Sequence, residues 1–194
     1  MSPLEAGSNV RAFLAVDLTR EIGARIGEAQ AALARFSHAV RWVRPESIHL
    51  TLKFLGEISP EQQRRVMETF SAHKSGVDPF QVSVERLGFF PNTRAPRVVW
   101  IGIEQGREQL QSLARFVEDS LGAAGFPPES RPFSPHATIG RIKFLPDVAP
   151  FIEATSPFSN YQCGTTMVSH FFLYESKLER SGSIYTKRAT FALK

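Results

Sequence analysis

Two stretches of the 194-residue chain repeat each other at residues able to do chemistry: Arg44-Pro45-Glu46-Ser47-Ile48-His49-Leu50-Thr51 and Arg131-Pro132-Phe133-Ser134-Pro135-His136-Ala137-Thr138. Arg, Pro, Ser, His and Thr match at a constant offset of 87 positions, whereas Ile48/Pro135 and Leu50/Ala137 differ. A duplicated packing element would need matching apolar residues, so agreement at the polar positions points to a duplicated site. Imidazole can take or give a proton near neutral pH, and a well-placed one is worth on the order of 10²–10⁴ in rate. A Thr hydroxyl can donate to a phosphate oxygen. Two of each suit phosphate-ester chemistry, where one group deprotonates the attacking oxygen and another protonates the leaving one. With five His and ten Thr in the chain, about 0.26 H-x-T triplets are expected by chance, so one match means little and the repeat carries the weight. No acidic cluster of the kind that binds Mg²⁺ accompanies the repeat, and neither metal nor cofactor is expected.

The elements that must position these residues follow from periodicity. Ile48 to Leu55 alternates as a strand with Leu50, Leu52 and Phe54 on the core face and His49, Thr51 and Lys53 on the other. In the second copy Ala137 and Ile139 point inward while His136 and Thr138 share the outer face. Strict alternation sets Arg141 opposite His136 unless the strand bulges or ends at Gly140. A strand and a helix precede each copy: Arg11 to Leu18 with about Thr19 to Phe36, then Val98 to Ile103 with about Arg107 to Ala124. After the first copy, Ser59, Pro60 and Gln62 predict a capped helix to about Lys74, followed by a strand from Phe80 to Phe89. After the second, Pro146 opens a shorter helix, against which Pro150 argues, and strands from Thr165 to Glu175 and about Ser183 to Phe191 follow. The chain therefore reads as one domain over residues 1–194, with β-α-β-(α)-β halves at about 11–91 and 97–176 and a closing strand at 183–191. Pro91 to Pro96 is the expected hinge between halves, and the first nine residues are expected to be loose. Duplication predicts an approximate two-fold axis that sets the two His strands face to face.

Composition narrows the class. Hydrophobic residues make up 42% of the chain and sixteen are Phe, enough for a core and inconsistent with global disorder. Apolar runs are strand-sized, far below the roughly 20 residues of a membrane span. Glu5 and Asp17 stand where a signal peptide has basic and then apolar residues. A soluble, cytoplasmic protein with no membrane partner is expected. Cys163 is the single cysteine, which excludes an internal disulfide. Net charge is +4 and seventeen of the 23 basic residues are Arg, the side chain best matched to phosphate, without any basic block.

Several residues carry two readings. His38, His73 and His170 lack a Thr two positions on and read as structural or solvated. Lys53 reaches phosphate or lies on a solvated rim. Phe13 is a core residue before it is a base-stacking platform, and Arg44 and Arg131 either steer phosphate or brace a turn. Cys163 has no partner signature of a catalytic thiol.

The tandem tetrads His49-Leu50-Thr51-Leu52 and His136-Ala137-Thr138-Ile139 resemble the 2H phosphoesterase superfamily. Arg11 to Leu18, Trp42-Val43-Arg44-Pro45 through Phe54-Leu55-Gly56-Glu57, and Arg131 to His136 through Arg141 look like its RNA 2′,3′-cyclic phosphodiesterase branch, also called the LigT or 2′-5′ RNA ligase family. The resemblance implies an α+β fold, bilobal and pseudo-symmetric, with mostly antiparallel sheets around a central basic cleft. It implies metal-independent hydrolysis of RNA or nucleotide 2′,3′-cyclic phosphate ends to 2′-phosphates, by a monomer. The alternative is ATP-independent 2′-5′ ligation, or 2′-5′ phosphodiester cleavage, on tRNA halves or oligonucleotides. Carried over by position, His49 is the proton donor and His136 the proton acceptor, Thr51 and Thr138 hold the phosphate, and Arg141 adds charge beside it.

Overall fold

The protein is described from a computed structural model, over residues 8–179 and 182–194. The expectation for the first nine residues falls largely on 1–7, outside the described residues. In chain order the elements are β1 (Val10–Asp17), α1 (Arg20–Ala32), β2 (Val40–Trp42), β3 (His49–Ile58), α2 (Pro60–Ala72), β4 (Phe80–Phe90), β5 (Val98–Ile103), α3 (Arg107–Ala123), β6 (His136–Ile142), α4 (Ala149–Thr155), β7 (Gln162–Val168), β8 (His170–Glu179) and β9 (Gly182–Ala192).

Local chemistry starts the helices where the residue types demand it. Thr19 Oγ1 accepts from Ile22 N at the head of α1. Ser59 and Gln62 close a reciprocal capping box on α2, with Pro60 in the first turn. α1 stops short of Phe36 because Leu33 N turns back to Gln30 O at 3.1 Å, tightening the chain into a 3₁₀ turn at Ala34–Phe36. Among the described residues no helix is long and apolar enough to cross a membrane.

The strands form a nine-stranded sheet, order β7-β4-β5-β6-β3-β1-β8-β9 with β2 also on β6, and every pair is antiparallel. The two His strands, β3 and β6, are central neighbours and pair at Leu50↔Ala137 alone. They stand side by side, where the duplication suggested face to face. On either side of this seam lies one lobe, and each lobe borrows a strand. β4 leaves the first half to pair with β5 and β7, and β8 leaves the second half to pair with β1 and β9. What reads as one strand from Thr165 to Glu175 is two, parted at Ser169 as the chain passes from one lobe to the other. Pro91 to Pro96 is the turn of the β4–β5 hairpin and not a hinge: Asn92 Oδ1 accepts from Arg94 N and Ala95 N, and Arg97 N donates to Phe90 O at 2.7 Å.

Helices brace the seam from behind. α1 follows β1 in one lobe and packs on β7 in the other, whereas α3 follows β5 and packs on β3. Buried Gln30 on α1 donates to Val43 O and Ile139 O at 2.8 and 2.9 Å, so one side chain ties both repeats together.

A β-bulge in each His strand corrects the simple alternation. Thr51 pairs with Ala15 and Lys53 with Leu14, leaving Leu52 extra; Thr138 pairs with Trp100 and Gly140 with Val99, leaving Ile139 extra. Each bulge shifts the side chains that follow it to the other face, and in β3 a second shift at Leu55 comes only after Phe54. Phe54 therefore joins the His49 face and is 56% exposed, while Lys53 is driven into the core side and is 3% exposed. There its Nζ donates to Glu118 Oε2 at 2.7 Å and Pro127 O at 2.9 Å. Lys53 neither reaches phosphate nor lines a rim; it clamps β3 to α3. Replacing it with Met leaves Glu118 without its cation, and denaturant unfolding should show a loss of about 2–3 kcal/mol at unchanged m. An unchanged midpoint would contradict the buried clamp.

Candidate active site

The Leu50↔Ala137 pairing sends those two side chains to the core, where both are buried. His49, Thr51, His136 and Thr138 consequently share the opposite face. Continuing the register by one residue sets His49 across from Thr138, and Thr51 across from His136. The four polar residues that repeat in sequence thus meet at one seam, related by the pseudo-two-fold.

Each imidazole is fixed by a carbonyl two residues before it. His49 Nδ1 lies 2.9 Å from Ser47 O, and His136 Nδ1 lies 2.7 Å from Ser134 O. A carbonyl only accepts, so Nδ1 carries the hydrogen in both rings and Nε2 is left for the cleft. Nε2 accepts a proton when the ring is neutral and donates one when it is charged. Ser47 and Ser134 match in the sequence repeat, yet their role lies in the backbone, where residue identity is silent.

The packing differs between the two lobes. His49 stacks on Phe13 with centroids 4.7 Å apart and meets the edge of Tyr185 at 5.2 Å; Tyr174 lies 5.3 Å from Phe13 and 6.4 Å from His49, so the three rings cluster. Phe13 is 3% exposed and forms the floor under His49. His136 meets Phe90 edge-on at 4.9 Å, with Trp100 at 6.4 Å. Burial pushes both imidazoles below their ordinary value, opposed in each by its Ser carbonyl.

Charge differs too. Asp17 is the register partner of His49 and raises its proton affinity, while Gly102 holds the equivalent place beside His136. The Asp17 carboxylate accepts from Tyr174 OH at 2.6 Å and Lys187 Nζ at 2.9 Å. Burial and this carboxylate raise the Tyr174 hydroxyl far above its ordinary range, so it acts only as a donor. The bulge at Ile139 brings Arg141 onto the His136 face, where its charge lowers that imidazole. Phe54 occupies the matching position in the first copy.

The remaining candidates lie elsewhere. His38, His73 and His170 are exposed, with Nδ1 bonded to Arg35 O, Thr69 O and Ser169 Oγ. Burial pushes the Cys163 thiol up to about 12, which leaves it unreactive. Among the described residues no group of three His, Cys, Asp or Glu side chains is placed to hold a metal ion.

The family described as LigT like Phosphoesterase matches the chain twice, over residues 16–100 and 101–185, with one H-x-T strand in each span. The chain belongs to the LigT-like phosphoesterase family. It is similar to the RNA 2′,3′-cyclic phosphodiesterase of Methanothermobacter thermautotrophicus, 36% identical and covering 95% of this chain and 99% of the relative. It is 37% identical to that of Archaeoglobus fulgidus, over 91% of this chain and 96% of the relative. E. coli LigT complexed with 3′-AMP has the same LigT-like fold, with a TM-score of 0.78 and 30% identity over 95% of this chain and 98% of that one.

Within this LigT-like site, Asp17, Tyr174, Tyr185, Phe90 and Trp100 were not singled out from sequence. Alternation along β1 already puts Asp17 on the face of Phe13, but the tyrosines arrive by strand exchange and carry no local signal. The carbonyl contacts have a spectroscopic consequence: ¹⁵N NMR of the neutral imidazoles should show Nδ1 protonated in both His49 and His136. An Nε2–H tautomer in either ring would contradict this orientation.

Proposed function

We propose that this chain hydrolyses 2′,3′-cyclic phosphates at RNA ends to 2′-phosphates, by general acid–base catalysis between His49 and His136 and without a metal ion. The reading rests on one observation: two imidazoles, each held through Nδ1 with Nε2 left free, share a face with two Thr hydroxyls at a single seam. The names and extent of the relatives support RNA as the substrate class.

In this scheme neutral His136 takes a proton from water through Nε2 as the water oxygen bonds to phosphorus. The bond from phosphorus to the 3′ oxygen breaks, and His49 gives its Nε2 proton to that oxygen. Water has then been added across one ester bond, leaving a 2′-phosphate and a 3′-hydroxyl. Thr51 and Thr138 donate to the non-bridging oxygens, where charge is held in the transition state, and Arg141 offsets that charge from the His136 side. The donor set suits this route: Asp17, the carboxylate beside His49, is already engaged by Tyr174 and Lys187.

Burial lowers both imidazoles, and the charges beside them differ in the sense this division of labour needs. A carboxylate beside His49 favours its cation, the form a proton donor needs. A guanidinium beside His136 favours its neutral form, the form a base needs.

The test is hydrolysis of adenosine 2′,3′-cyclic monophosphate in EDTA. His49→Ala and His136→Ala should each lower kcat by about 10²–10⁴. Activity within twofold of wild type, or its loss in EDTA alone, would refute the scheme. The kcat/KM profile should be bell-shaped, its acid limb set by His136 losing a proton and its alkaline limb by His49 losing one, as a coupled pair. Asp17→Asn removes a charge that raises His49, so the alkaline limb should move to lower pH. Arg141→Gln removes a charge that lowers His136, so the acid limb should move to higher pH. Limbs that stay fixed in both variants would sink the assignment of roles.

A further inference from the structure

Beside His136 the face of the sheet continues into a cavity of about 450 Å³, lined by Arg86, Trp100, Gly102, Glu104 and Arg107 among others. Its volume falls within the roughly 300–1,000 Å³ typical of small-molecule sites. Trp100 and Gly102 are the register partners of Thr138 and His136, so the cavity lies one strand away from the His136 side of the seam.

Three features give the cavity a chemistry. The first is the pose of Trp100, whose indole lies flat on the sheet because Gly88 and Gly102 leave room for it. A Cβ on Gly88 would clash with the ring, and one on Gly102 would come within 3.2 Å of Cζ3. The pose leaves Nε1 buried without a hydrogen-bond partner, as is also true of Trp42. Trp100 as a whole is half-buried and lines the cavity.

The second feature is Arg86. It sits at a bulge in β4 with φ of 69°, a left-handed conformation that suits glycine and costs other residues. A long cationic side chain is kept where the backbone favours none, and it lines the cavity. The third is Arg107, the first residue of α3, which shares Glu104 with Arg86 at 3.7 and 3.2 Å. Two guanidiniums against one carboxylate leave a positive excess. Glu104 directly follows Ile103, the last residue of β5, so the two arginines gather at the end of the strand that carries Trp100 and Gly102.

We infer that this cavity is a subsite for RNA beyond the cyclic end, with a base against Trp100 and the internucleotide phosphate at Arg86 and Arg107. The inference rests on the cyclic phosphodiesterase reading and adds to it a preference for an RNA end over a free cyclic nucleotide. An aromatic platform beside basic groups is how single-stranded nucleic acid is held, without regard to base identity.

The probes are adenosine 2′,3′-cyclic monophosphate and the adenine dinucleotide ending in a 2′,3′-cyclic phosphate. Affinities are measured on the His136→Ala form and hydrolysis on the otherwise wild-type chain. The dinucleotide should bind at least tenfold more tightly. Arg86→Gly with Arg107→Gln should remove that advantage, flatten its salt dependence and leave mononucleotide turnover within twofold. The glycine relieves the left-handed backbone, and Arg107→Gln alone, which should lose part of the advantage, provides a second reading. Equal affinities for the two probes, or an advantage that survives loss of both arginines, would overturn the subsite. Dinucleotide binding that depends on the arginines, with no opening of either probe by the wild type, would uphold the subsite and overturn the catalytic reading instead.

Discussion

The pairing of Leu50 with Ala137 is the constraint on which the rest of the molecule depends. One residue pair joins β3 to β6, and because it is antiparallel and directed to the core, the residues flanking it on both strands are turned to the same face. That puts two imidazoles and two hydroxyls within one seam, although neither half of the chain holds more than one of each. So narrow a junction would be weak alone. It is braced by exchange: β4 and β8 each complete the opposite lobe, α1 and α3 each pack across it, and Gln30 bridges the two repeats. Separating the two sequence halves would break the strand pairings that build each lobe.

In the proposed scheme the two-fold that makes the site also has to be broken, since an acid and a base cannot be the same group in the same state. The scaffold repeats through the Ser carbonyls, the imidazoles, the Thr hydroxyls and even the bulges at Leu52 and Ile139. In charge it departs from symmetry at two equivalent pairs, Asp17 against Gly102 and Phe54 against Arg141. One puts a negative charge beside His49, and the other puts a positive charge on the face of His136. Duplicated strands thus supply the geometry, and one difference within the His strands and one on the strands beside them set the two charges apart.

Much of this was legible in the chain because the relevant signals are local. The repeat named all four seam residues, the capping residues marked the start of α2, and Val98–Ile103 needed only apolar density to read as a strand. The bulges were not legible. His49 to Leu55 alternates cleanly on paper, and only pairing with β1 reveals that Leu52 is extra, so Lys53 and Phe54 exchange faces. For Arg141 the sequence leaves a bulge or a strand end at Gly140 open as the exception to strict alternation, and pairing with β5 places the bulge at Ile139. The break at Ser169 carries neither Gly nor Pro, so two strands in different lobes read as one. Tyr174 and Lys187 reach Asp17 across more than 150 residues through that exchange, a distance no local pattern spans.

In the proposed scheme the two seam histidines act from opposite sides of one phosphorus, with His49 releasing the 3′ oxygen. The most direct test is the phosphate isomer formed when a 2′,3′-cyclic end is opened, read by ³¹P NMR before any migration. A 2′-phosphate is the expected product. A 3′-phosphate would mean that the other oxygen departs, and would contradict the placement of donor and acceptor across the seam.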